Sequence, residues 1–270
     1  MVERYLAELP ESEAPAAIRA IYDDIRDTLG LPVVNLLYRH LAVEPGRLES
    51  TWADLRPVLK DPSTHALAAA LAARVPAPTF APVSGAALAV VGVGEAELAR
   101  VEATLSMYER ANARNLVALR VLLGGSDGTG RGNRPTGRVP APLAGEPFPM
   151  ADLARLPPSV RALLHEVSAA VVGGGEPILV PSLLRHFVHE PGLLALAWTA
   201  LRSRLTDDAL RRRAAPVREQ ACVLATQFPR PVRPIEDPSA RDVLERFAEP
   251  IARMLVVGAL IGRALGVSRV

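Results

Sequence analysis

Between residues 108 and 115 the chain reads YERANARN, which sets Tyr108, Asn112 and Asn115 at i, i+4 and i+7. In a helix of 3.6 residues per turn these three side chains share one face. Two amides and a phenol on an otherwise apolar stripe are costly to bury without partners. Two arrangements would satisfy them. One is a polar contact between helices. The other is a small pocket in which amide N–H groups hold an anionic or carbonyl ligand. Upstream, Asn35 and Tyr38 form a second polar pair at i, i+3 in the stretch VNLLYRH.

The chain carries its own control for these residues, because it repeats itself. YRHLAVEPGRLESTWADLR from residue 38 and LRHFVHEPGLLALAWTALR from residue 184 agree at nine of nineteen positions, with Arg-His, Glu-Pro-Gly and Trp in register. IRAIYDDIRDTL at 18 parallels VRALLHEVSAAV at 160, and ARNLVALRVLL at 113 parallels ARMLVVGALIG at 252. A period of this length is too long for a solenoid and points to a duplicated domain, a dimer fused into one polypeptide. The expected division is a first helical repeat over 1–123, a Gly/Pro-rich connector over 124–149 and a second repeat over 150–270. GGSDGTGRGNRPTGRVPAPLAGEPFP has no apolar periodicity, and such composition predicts an extended, flexible linker. It lacks the Gly-Lys-Ser/Thr ending of a phosphate loop.

In a pseudo-dimer, residues present in both copies serve what both copies need, namely turns and packing. A single asymmetric pocket requires polar groups in one copy only. By this test Pro45-Gly46 and Pro191-Gly192 are corners, with glycine free to take φ > 0. Trp52 and Trp198 are core anchors. Glu44 and Glu190 are expected to cap helices or pair with Arg39 and Arg185. His40 and His186 read as structural histidines, since no third ligand falls at metal spacing. The polar residues, by contrast, are one-sided. Tyr108, Asn112 and Asn115 are answered by Phe247, Ile251 and Met254, and Asn35 and Tyr38 by Pro181 and Leu184.

Helical spacing extends over 14–29, 34–43, 46–59, 64–74, 95–123, 151–171, 180–189, 192–204, 207–227 and 239–265, which makes the fold class all-α. The only serious strand candidate is ALAVVGV at 87–93. With 49% hydrophobic and 22% charged residues, the 270-residue chain has the composition of a globular protein. A net charge of +2, with basic residues interleaved among acids, argues against a nucleic-acid interface. The single cysteine, Cys222, excludes an internal disulfide framework and any multi-cysteine metal site. Placed on a helix without an evident His partner, it reads as buried and inert. Ser84 lacks the Gly-x-Ser-x-Gly context of a hydrolase nucleophile. The N-terminus shows no signal pattern, and the most apolar stretch, IARMLVVGALIGRALGV, carries two arginines and is too short to span a bilayer. The expectation is a cytoplasmic protein without a membrane segment, metal or cofactor.

AIYDDIRDTLGLPVVNLLYRHLAVEPGRLESTW and VGEAELARVEATLSMYERANARNLVAL resemble two blocks of the group I 2-haloacid dehalogenases, also called halocarboxylic acid dehydrogenase-like proteins. The resemblance covers most of the first copy and, more weakly, the second. It implies an all-α fused pseudo-dimer in which a carboxylate of the second copy activates water, and that water displaces halide from C2 of a short 2-haloacid. No covalent enzyme intermediate forms in that reaction, and an asparagine of the first copy positions the water or the substrate. That asparagine falls on Asn112. The aromatic that follows it in the family falls on Asn115, and a family Trp falls on Val33. The family's aspartate falls at Ser182 or Leu183, so no carboxylate stands at that position. Glu176 and Glu190 are the nearest carboxylates, and Glu190 is mirrored by Glu44. The one-sided polar residues and the resemblance together nominate Asn112 and Glu176 as catalytic, and Asn35, Tyr38, Tyr108, Asn115 and Ser182 as binding a small-molecule carboxylic acid between the copies. A homodimer is compatible with this reading. The alternative is a relative without the base that binds a small molecule or acts as a scaffold.

Overall fold

The computed structural model describes residues 5–76, 79–132, 145–174 and 177–267, with the side chains of 131 and 132 excepted. The described residues form eleven α-helices and one two-stranded sheet, so the all-α reading holds. The helices are α1 (Ala16–Leu29), α2 (Leu36–Leu41), α3 (Arg47–Lys60), α4 (Pro62–Ala72), α5 (Gly85–Val90), α6 (Glu95–Gly124), α7 (Pro158–Val172), α8 (Ser182–Phe187), α9 (Pro191–Leu201), α10 (Asp207–Ala225) and α11 (Pro238–Leu265). None of the described helices is long and apolar enough to cross a membrane.

Local sequence explains where these helices begin and end. α1 buries Ile18, Tyr22, Ile25 and Leu29, a single stripe at helical spacing, and stops at Gly30, which adopts the left-handed conformation at φ 67°. Asp61 caps α4 by accepting the Ser63 N–H at 2.8 Å, with Pro62 at the first helical position. Asp237 caps α11 in the same way through Ser239, again ahead of a proline. α6 and α11 are the two longest helices and make the most extensive helix–helix contact. α3, α4, α8 and α10 pack on α6, and α2, α7, α9 and α10 pack on α11. The centre of the molecule is therefore this crossing pair, whose ALVV-rich faces are buried on most sides.

The twin motifs serve as frame. The Trp52 indole N–H donates to Asp24 at 2.8 Å, and that of Trp198 donates to Glu166 at 2.9 Å. His40 Nδ1 meets the Ala7 carbonyl at 2.8 Å, and His186 Nδ1 meets the Phe148 carbonyl at 2.5 Å. The two glycines differ. Gly46 caps α3 in the left-handed conformation at φ 81°, whereas Gly192 lies inside α9. A Cβ on Gly192 would fall 2.9 Å from Val91 Cβ, so close approach excludes a side chain there.

Four expectations need correction. ALAVVGV is not a strand: its first four residues complete α5, which Ser84 caps by accepting the Ala87 N–H at 3.2 Å. Serine at that position satisfies an orphan N–H of the first turn, and this outweighs the β-branched content that follows. Cys222 is exposed, because α10 buries its Leu210, Ala214, Val217 and Ala221 stripe and turns Cys222 outward. Glu44 pairs with Arg47 one turn away, and Arg39 and Arg185 both turn to Glu8. Finally, the described parts of 124–149 are held by packing. Ser126–Asp127 pairs antiparallel with Pro231–Val232, and Phe148 is buried beneath His186.

Candidate active site

Two short helices and the central pair converge on a cavity of about 50 Å³. The N-terminus of α2 contributes Asn35, and α8 contributes Ser182 and Leu183. α6 contributes Tyr108, Asn112 and Asn115 from one face, as their spacing requires, and α11 answers with Phe247, Ile251 and Met254. The helix face that is polar in one half of the chain meets its apolar counterpart from the other half. The result is one cavity with an amide wall and a hydrocarbon wall.

Five of the seven predicted site residues line this space: Asn35, Tyr108, Asn112, Asn115 and Ser182. Tyr38 stands behind them. Its hydroxyl donates to Asn115 Oδ1 at 2.7 Å, and its ring lies edge-on to Trp52 at 5.6 Å. Because that bond occupies the Asn115 carbonyl oxygen, the Asn115 amide N–H₂ is the group left for the cavity. Burial pushes the Tyr38 and Tyr108 phenols well above their usual range, so both act as neutral donors. Glu176 lies outside the described residues.

Asn35 is the exceptional member. It occupies the cap position of α2, yet its side chain makes no capping bond. Its Oδ1 is buried with no hydrogen-bond partner, on a residue only 7% exposed. A buried amide oxygen without a partner costs about 1–3 kcal/mol, a cost that a ligand donor in the cavity would remove.

Behind Tyr108 and Ser182 runs a chain of buried polar groups. The Phe148 carbonyl can only accept, so His186 Nδ1 carries the proton, and Nε2 accepts from the Tyr108 hydroxyl at 2.9 Å. Burial lowers the His186 pKa to about 4, so the ring is neutral at pH 7. Arg39 Nη2 donates to Ser182 Oγ at 3.2 Å. The Arg39 Nε also reaches Glu8 Oε2 at 2.8 Å, and Arg185 Nη1 reaches Glu8 Oε1 at 2.7 Å. Burial alone would raise the Glu8 pKa, but the two guanidiniums together hold it below the usual carboxylate value. One carboxylate thus clamps both motif arginines and, through Arg39, steadies the serine at the cavity wall. Nothing in VERYLAELPESEAP distinguishes Glu8 from Glu11 or Glu13, so sequence reasoning missed it.

Arg114, also unanticipated, sits on α6 near the amide wall. Its guanidinium donates to the carbonyls of Leu29 at 3.0 Å, Thr28 at 2.8 Å and Leu59 at 3.0 Å. It thereby closes the C-terminal ends of α1 and α3, where carbonyls lack helical partners and the dipole is negative. Burial lowers its pKa to about 10, which leaves it charged.

Among the described residues, no aspartate or glutamate lines the cavity, and no group of three or more potential metal ligands occurs. The wall can donate hydrogen bonds from amides and a hydroxyl, accept one at Asn35, and pack a hydrocarbon or halogen against Phe247, Ile251 and Met254.

No family model matches the chain. An (R)-2-haloacid dehalogenase of Rhizobium sp. (strain NHG3) is 47% identical over 49 residues, 18% of this chain and 19% of the relative. An (R)-2-haloacid dehalogenase of Pseudomonas putida is 31% identical over 104 residues, 37% of this chain and 35% of the relative. The matched part therefore spans between a fifth and about a third of these curated relatives. A structure of a D-2-haloacid dehalogenase mutant with D-2-CPA superposes with a TM-score of 0.77 at 16% identity, covering 98% of this chain and 97% of that one. A D-2-haloacid dehalogenase complex with L-LA gives 0.78 at 15% identity, covering 98% of both. Through sequence over part of its length, and through fold over nearly all of it, the chain is related to the 2-haloacid dehalogenase family.

Proposed function

We propose that the asparagine cavity binds a small 2-substituted carboxylic acid and that the protein hydrolyses a 2-haloacid by direct attack of water. The observation that carries the reading is the unpartnered, buried Oδ1 of Asn35, a residue that lines the same space as Asn112 and Asn115. Amide N–H groups of Asn112 and Asn115 hold the carboxylate or the attacking water, and Asn35 accepts from that water or from a protonated ligand group. The apolar wall from α11 takes the halogen and the alkyl substituent, where exclusion of bulk water favours the displacement. In the reaction a water oxygen bonds to C2 as the carbon–halogen bond breaks. Halide leaves with the electron pair, and the water proton passes to a carboxylate. The likeness in fold to D-2-haloacid dehalogenase supports this assignment, and Glu176 is the carboxylate proposed to take the proton.

The test is halide release from each enantiomer of 2-chloropropionate. Asn112→Ala is expected to abolish measurable release, and Glu176→Gln to lower it by about 10²-fold or more, the usual effect of losing a general base. A second reading, a binding protein that performs no chemistry, draws on the absence of Asp or Glu among the described cavity residues. Carboxylate binding without halide release from any short 2-haloacid would establish that reading and refute the hydrolase.

A further inference from the structure

The asparagine cavity does not stand alone. Tyr108, Leu183 and Met254 line it on one side and, on the other, line a groove of about 350 Å³ between α6 and α11. At about 50 Å³ the cavity falls below the usual range for ligand sites, whereas the groove falls within it. The floor of the groove is a run of small residues on α11: Gly258, Ala259 and Gly262. These glycines are not demanded by close helix packing. A Cβ on Gly258 would lie 3.9 Å from Leu105 Cδ2, and one on Gly262 would lie 3.5 Å from Leu105 Cδ1, both ordinary contacts. Neither has a φ that restricts the position to glycine. Glycine inside a helix is destabilising relative to alanine. Two such residues, with room for side chains, leave an open channel beside the cavity, lined mainly by apolar and small residues and also by Ser106, Glu109 and Arg263. Of the three residues that line both spaces, Met254, with its three unbranched rotatable bonds, is the side chain best able to turn aside.

We propose that the ligand is a 2-substituted carboxylic acid with a medium-length alkyl chain, its head at the asparagines and its tail in the α6–α11 groove. This inference rests on reading the cavity as an acid site and names the substrate class for it. Asn35, more than nine-tenths buried with an unpartnered oxygen at the cavity, marks the polar end. Leu105, Leu255 and the glycine stripe mark the apolar end. On this proposal the tail passes between the two where Met254 turns aside.

The test is calorimetric titration of the intact protein with propionate, butanoate, hexanoate and octanoate, none of which carries a leaving group. Burial of each added methylene is expected to tighten binding about four-fold, so octanoate binds at least about 100-fold more tightly than propionate. Gly262→Leu, which fills the groove, is expected to erase that gain and leave propionate within about two-fold. Gly258→Leu serves as a second blocking variant if the first fails to fold. Asn112→Ala is expected to weaken all four acids alike. A wild-type series that is flat or worsens with length overturns the proposal. So does octan-1-ol binding as tightly as octanoate, because the acid head would then go unrecognised. The series is independent of turnover. Chain-length-dependent binding without halide release supports the inference and refutes hydrolysis, whereas halide release with a flat series does the reverse.

Discussion

Replacing Glu8 with glutamine tests the clamp that joins the two Arg-His motifs. In the native protein Glu8 Oε2 lies 2.8 Å from Arg39 Nε, and Oε1 lies 2.7 Å from Arg185 Nη1. Arg39 and Arg185 are 1% and 8% exposed, so their charges have little access to water. Each contact is worth about 4 kcal/mol in gross Coulomb terms at an effective dielectric of 20, much of it offset by desolvation. Removing one partner of a buried ion pair typically costs 3–5 kcal/mol. Glu8 retains some exposure, and both arginines keep other acceptors, in Val34, Ser182 and Ala151. The expected loss for Glu8→Gln is therefore near the lower end, about 3 kcal/mol. At 2–4 °C per kcal/mol this is a fall in Tm of about 6–12 °C. Urea unfolding followed by circular dichroism at pH 7 reads it directly. The sign with pH follows from the depressed pKa of Glu8: its stabilisation is present above pH 4.5 and is lost as pH falls through its lower native value. Wild type and Glu8→Gln are therefore expected to converge in acid. A loss under 1 kcal/mol at pH 7, or a gap that persists unchanged at pH 3, would refute the clamp. The triple replacement of Glu8, Arg39 and Arg185 by methionine should recover part of the loss, because it strands no charge.

Three further outcomes are expected. Burial holds the His186 pKa near 4 in the native protein against 6.5 in the unfolded chain, so the unfolded state binds more protons between those values. Stability should then fall as pH drops from about 6.5 to 4, by up to roughly 3 kcal/mol from this group, and His186→Gln should flatten that slope in unfolding measured across pH. Tyr38→Phe strands Asn115 Oδ1 and should cost about 1–3 kcal/mol in thermal unfolding, with acid binding weakened as the Asn115 amide loses its orientation. An unfolding curve superposable on wild type would show the bond to be idle. Arg114→Met leaves the carbonyls of Thr28, Leu29 and Leu59 unpaired and should destabilise by at least 2 kcal/mol. Hydrogen exchange should rise first at the C-terminal turns of α1 and α3, and a uniform rise across the fold would contradict the capping role.

Much of the candidate site was legible because it rests on helix periodicity. Spacing alone placed Tyr108, Asn112 and Asn115 on one face, and comparison of the two motif stretches separated that face from its apolar counterpart on α11. Both line the same cavity in the structure, one as its amide wall and the other as its hydrocarbon wall. The errors came where short-range and long-range effects compete. Arg39 lies close to Glu44 in sequence, yet its partner is Glu8, which the N-terminal segment brings over α2 through a backbone bond from Leu9 to the Arg39 carbonyl at 2.9 Å. ALAVVGV carries strand-forming residues, but a serine cap decides its first half for helix.

Sequence by itself determined most of the helices, the frame motifs and the one-sidedness of the polar residues, because each depends on patterns within a few turns of chain. Only the tertiary structure decided that Asn35 keeps an unpartnered oxygen, that Tyr38 turns away to orient Asn115, and that a groove floored by Gly258 and Gly262 adjoins the cavity. Those are properties of space between α2, α6, α8 and α11. No local pattern records how far apart two helices will settle or which side chain closes the gap between them.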